Sequence, residues 1–132
     1  MKIAVLIARI LLGLIFVVFG LNFFFHFSFM PAPAPMSDKA QAFAGGLYGS
    51  GYFFQYMKVI EIVSGLAILF NRYTALFLLI LFPVSVNIFL FHSILVPSGV
   101  PVAAVIIILH LFLAFAYRKY YASLFTAVPT IS

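Results

Sequence analysis

Four long apolar runs, Ile3–Phe25, Tyr52–Phe70, Tyr73–Leu95 and Val100–Tyr117, alternate with short polar links along the chain. Each is near the ~20 residues that carry a helix across the hydrocarbon core of a bilayer. The pattern predicts spans over about 3–27, 52–70, 73–95 and 100–121. Two of the links are tight: Asn71-Arg72, and the turn Val96–Pro101, whose Pro101 suits the first turn of the fourth helix. The long link, Met30–Gly51, opens on Met30–Met36 (MPAPAPM), a stretch too poor in backbone donors for helix and expected to run extended. Ser37 then reads as an N-cap with Asp38 in the first turn, and Gly45-Gly46 as the end of a helix of two turns. Ala40, Phe43, Ala44 and Leu47 share one face of that helix, which is expected to lie on the outer surface as a lid over the bundle. The reading is all-α: a bundle of four transmembrane helices with a short surface helix in the first outer loop. Met30–Gly51 is too short to fold alone, so residues 1–132 are expected to form a single domain.

Composition agrees with the pattern. With 67% hydrophobic and 7% charged residues among 132, there is too little polar surface to cover a soluble globule. The first run is longer than the ~7–15 apolar residues of a signal peptide and contains Arg9, so it is expected to be a retained span. The net charge of +5 forms no stripe suited to nucleic acid. Lys2, Arg9, Arg72, Arg118 and Lys119 instead fall at alternate ends of the runs, which by the positive-inside rule puts both termini and the Asn71-Arg72 link in the cytoplasm of a bacterial inner membrane protein. The tyrosines fit that frame as interfacial belts, Tyr48, Tyr52 and Tyr56 outside, Tyr73, Tyr117, Tyr120 and Tyr121 inside. The absence of cysteine excludes disulfides, thiol redox chemistry and Cys-ligated metal.

Small and polar residues within the runs indicate contacts and chemistry. Gly13 and Gly20, seven apart, share a face of the first helix with Arg9 and Phe16, and Ser64-Gly65 offers a matching close approach on the second. Glu61 lies near the midplane, and even insertion-derived scales charge about 2.5–3.5 kcal/mol for a carboxylate there. Lys58, three residues earlier on the same helix, is placed to pair with it. Asn87 falls about one turn further out, and Gln55, Asn22 and His92 further out again, so a polar cluster is expected in the outer half of the bundle. The pair has two readings: a buried ion pair that fixes helix orientation, or a proton-accepting or hydrogen-bonding site at the wall of a cavity open outward. Pro83 frees the carbonyl of Leu79 within the third span, where Asn87 follows one turn later. His26, His92 and His110 make no metal-ligand pattern, and His110 in the inner half is a candidate to meet Arg9. Leu78 is expected to face lipid.

The segments Ala8–Leu21 (ARILLGLIFVVFGL), Lys58–Leu66 (KVIEIVSGL), Asn71–Ala75 (NRYTA) and Asn87–His92 (NIFLFH) together resemble the DoxX-like family of small four-helix membrane proteins, over about three quarters of the chain. Arg9, Gly13, Gly20, Glu61, Gly65 and Arg72 carry the likeness, while many relatives have a lysine where this chain has Asn22 and Phe23. The resemblance implies membrane subunits associated with thiosulfate:quinone oxidoreductase, members of oxidative-stress assemblies, or assembly factors and cargo receptors. Two functions follow as expectations. One is a quinone- or small-ligand-binding accessory subunit of a membrane redox system, with Glu61, Lys58, Asn87, Asn22 and His92 around the ligand and a quinone as the candidate cofactor. The other is a non-catalytic factor that assembles or stabilises a partner membrane protein. No cofactor motif, nucleophile with its base, or metal set marks an independent enzyme.

Overall fold

The computed structural model describes residues 1–30 and 35–131, and among them no strand occurs. Five α-helices follow in order: α1 (Lys2–Phe25), α2 (Asp38–Gly49), α3 (Phe53–Leu69), α4 (Thr74–Ile94) and α5 (Val100–Ala116). The extended stretch expected at Met30–Met36 falls largely on residues 31–34, outside the described residues. Helices α1 and α4, and α5 with the turn before it, are long and apolar enough to cross a membrane. The 17 residues of α3 sit at the short limit of a spanning helix, and α3 meets α2 at 87°. The result is the expected all-α bundle, with α1, α3, α4 and α5 as its staves and α2 lying across one end.

Helices α1 and α3 share the most extensive contact in the bundle. A Cβ on Gly13 would come within 2.9 Å of the Gly65 carbonyl oxygen, and a Cβ on Gly65 within 2.9 Å of the Gly13 carbonyl oxygen, so the two backbones touch where only hydrogen leaves room. Gly20 repeats the arrangement one pair of turns on, against Ile62. Arg9 ends the same stripe: one of its terminal nitrogens donates to the carbonyls of Ile68 (3.0 Å) and Leu69 (2.7 Å), the last residues of α3. That placement satisfies helix-end carbonyls and sets a cation against the negative end of the helix dipole.

His110 does not meet Arg9. It is fully buried between α4 and α5, with Nε2 2.8 Å from the Leu78 carbonyl oxygen and Nδ1 2.7 Å from Ser85 Oγ. A carbonyl only accepts, so Nε2 carries hydrogen and Nδ1 of the neutral ring accepts from the serine hydroxyl. Leu78 likewise departs from expectation: it is 1% exposed and belongs to the core with Leu12, Phe16, Ile68, Leu81 and Leu113, because that face of α4 turns into the bundle. The lipid-facing leucine at that level is Leu79, 48% exposed.

Element ends differ in two places. Ser37 caps α2 as expected, its hydroxyl accepting from Ala40 N at 3.2 Å, but the helix continues through Gly45-Gly46 to Gly49. Glycine permits a helix end without forcing one, and here the left-handed turn is taken by Gly51 (φ 82°). The fourth span, expected to reach residue 121, ends as α-helix at Ala116 and continues as short 3-10 turns over Arg118–Tyr120 and Ala122–Phe125. Tyr121 ties that tail back to α4 by donating to the Ala75 carbonyl at 2.7 Å, and burial together with the neighbouring Tyr117 raises its pKa.

Candidate functional site

Helix α2 roofs a cavity between α3 and α4. The sequence explains the roof: Phe43, Ala44 and Leu47 recur at helical spacing and point down, Phe43 packing against Phe91 of α4 at a ring separation of 5.6 Å. On the other side the Tyr48 ring packs at a tilt against Phe54 of α3 at 4.5 Å, and Phe23 of α1 lies 5.9 Å from both rings. The helix is thus held by aromatic contacts to α1, α3 and α4.

The cavity beneath encloses about 180 Å³ and is open on one side. Its α3 wall is Phe54, Met57, Lys58 and Glu61, and its α4 wall is Val84, Asn87, Ile88, Phe91 and His92. Glu61 is 2% exposed and Lys58 Nζ stands 3.3 Å from its Oε2, while the lysine itself is 21% exposed. The pair forms because residues three apart on a helix lie on one face. Asn87 and His92 supply hydrogen-bonding groups from the opposite wall. His92 Nδ1 is buried with no hydrogen-bond partner among the described residues, and its ring packs so closely on Gly99 that a Cβ at that position would overlap it. The glycine in the α4–α5 turn is what leaves space for the imidazole.

Four of the five residues expected at the site, Glu61, Lys58, Asn87 and His92, line one cavity. Asn22 is engaged elsewhere: its Oδ1 accepts from Phe27 N at 2.8 Å, closing the end of α1 beside the left-handed His26. A short amide just before a helix end finds that backbone donor before it can reach across to α3. Gln55 is exposed and lies outside the cavity lining. The apolar members of the walls were readable only as helix-face neighbours, since Phe54, Met57, Val84, Ile88 and Phe91 share the turns of Lys58, Glu61 and Asn87.

The sequence model of the DoxX family matches residues 4–93, from the first turn of α1 to the last of α4. This chain belongs to the DoxX family. DoxX proteins are small membrane proteins, and Arg9, Gly13, Gly65 and the Lys58–Glu61 pair all lie within the matched segment, with α5 beyond it. No curated protein and no solved structure matches the chain. Membership accounts for the apolar helices whose exposed faces meet the bilayer, and function has to be argued from the site.

Proposed function

We propose that this DoxX protein, as one domain over residues 1–132, is a quinone- or small-ligand-binding accessory subunit of a membrane redox system. The observation that carries the reading is the cavity under α2, with the Lys58–Glu61 pair on one wall and Asn87 and His92 on the other. Size narrows the ligand. Apolar cavities of roughly 150 Å³ admit benzene, so about 180 Å³ accepts a single six-membered ring and not the ring's tail. A quinone suits these limits: its two carbonyl oxygens accept from donors on opposite walls, Lys58 on α3 and Asn87 or His92 on α4, while an isoprenoid tail leaves through the open side into the bilayer. The basic residues at the terminal end support a bacterial inner membrane orientation with both termini cytoplasmic, which puts the cavity in the outer half of the membrane.

A second reading, a non-catalytic assembly or stabilising factor, is favoured by the ion pair itself, since a satisfied pair needs no ligand. Binding of a benzoquinone with a short isoprenoid tail separates the two. Asn87→Leu is expected to weaken it several-fold, because a hydrogen bond contributes ~0.5–1.5 kcal/mol, and Glu61→Gln to weaken it by releasing Lys58 from the pair that positions its ammonium. Leu79→Ala on the lipid face leaves it unchanged. Unaltered affinity in both polar variants, with the bundle still folded, removes the binding reading and leaves the accessory factor.

A further inference from the structure

The two ends of the bundle are unequal in charge. The chain has two acidic side chains, Asp38 and Glu61, and both lie toward the end covered by α2. At the other end Lys2 and Arg9 of α1 converge with Arg118 and Lys119 after α5 on one groove of about 640 Å³, which neither side-chain carboxylate reaches. Some of this charge has local work. Arg9 uses one terminal nitrogen on the α3 carbonyls, and Arg118 donates to the Phe115 carbonyl at 2.9 Å while its guanidinium lies 4.2 Å from the Phe115 ring centre. Carbonyl oxygens satisfy donors without cancelling net charge, and the other terminal nitrogen and Nε of Arg9 make no hydrogen bond among the described residues. Lys2 and Lys119 are exposed at the rim, Lys119 with the Tyr120 ring 5.0 Å away.

We infer that this groove binds a phosphate group, delivered by an anionic phospholipid. Its volume is within the ~300–1,000 Å³ of ordinary small-molecule sites, and two kinds of wall match two parts of such a lipid. Guanidinium and ammonium groups suit the phosphate, Arg9 by its planar fork and Lys2 and Lys119 as point charges. Val5, Leu6 and Ala116 offer an apolar flank to the start of the acyl chains, continuous with the exposed Ile3 and Phe115 on the outside of α1 and α5. Basic pockets between spanning helices are a recurrent way for membrane proteins to hold anionic head groups. Inorganic phosphate offers the same anion without the chains, and the apolar flank is what favours the lipid. This inference is independent of the quinone reading, since the groove and the α2 cavity share no residue.

Native mass spectrometry of the full chain in mild detergent, titrated with phosphatidylglycerol or with phosphatidylcholine, tests it. Phosphatidylglycerol is expected to bind more tightly than phosphatidylcholine. The double variant Lys2→Gln, Lys119→Gln loses that preference by about twenty-five-fold, taking about fivefold for each basic side chain at a membrane surface. Both lysines are exposed, so the variant keeps its fold, with unchanged phosphatidylcholine binding as the check. Equal affinity for the two lipids, or a phosphatidylglycerol preference undiminished in the double variant, overturns the inference. Competition by millimolar inorganic phosphate that displaces the lipid completely overturns the choice of a lipid as the source of the anion.

Discussion

Glu61 and Lys58 are unequal partners. The carboxylate is 2% exposed and depends on the ammonium 3.3 Å away, whereas the lysine is 21% exposed and has a long stem by which to reach polar surroundings. Removing one partner of a buried pair costs about 3–5 kcal/mol when it strands the other charge. Lys58→Met strands the buried acid, and Glu61→Gln strands only the lysine, so Lys58→Met should be the more destabilising of the two. Thermal unfolding in detergent at neutral pH ranks them, and equal, negligible losses would mean that both groups face water independently. The pair was legible in the sequence because both residues lie on one helix, where spacing fixes neighbours. His110 was not. Its partners Ser85 and Leu78 are 25 and 32 residues away on another helix, and nothing in a row of apolar residues says which face of α5 turns toward α4. The same missing rotation misassigned Leu78 to the lipid, since the first half of α4, from Ala75 to Phe82, is apolar all round and carries no stripe to orient it.

At the scale of elements, the spans follow from apolar run length and their close contacts from small residues. The stripe Arg9, Gly13, Gly20 on α1 and Gly65 on α3 is found in contact along its whole length. Ends are set by finer chemistry: α2 outruns two glycines, and α5 stops five residues before its expected limit of 121. Asn22 shows the same limit, a polar residue at cavity depth whose side chain is taken by the backbone at the end of its own helix. The direction in which the helices cross the membrane rests on the basic residues. The Pro97–Gly99 turn between α4 and α5 is at the opposite end of the bundle from Lys2 and Arg118, and its Ser98 is exposed. Because the chain has no cysteine, Ser98→Cys introduces a single reporter. A membrane-impermeant thiol reagent is expected to label it from outside intact cells, and labelling from the cytoplasmic side alone would reverse the orientation.

For the whole molecule, the two ends of one bundle present two chemistries. One end is roofed by α2 over a ring-sized cavity with a charged pair and two further polar side chains, and the other is a basic groove between the chain's two terminal segments. Between them the outer faces of α1, α4 and α5 are apolar, with Leu11, Leu79 and Ile108 among the exposed side chains, as lipid contact requires. The polar cluster was anticipated from depth along the helices and the lid from the shared face of Ala40, Phe43, Ala44 and Leu47, whereas the 87° bend between α2 and α3 that seats the lid is encoded by no periodicity. The ligand content of the protein as isolated bears most directly on the cavity's role. Extraction in mild detergent followed by native mass spectrometry and solvent extraction of the bound fraction should recover a quinone in near-stoichiometric amount from the unaltered chain, and less from Glu61→Gln. A chain that is folded and free of quinone, and that takes none up when the tailed benzoquinone is supplied in excess, would contradict the assignment.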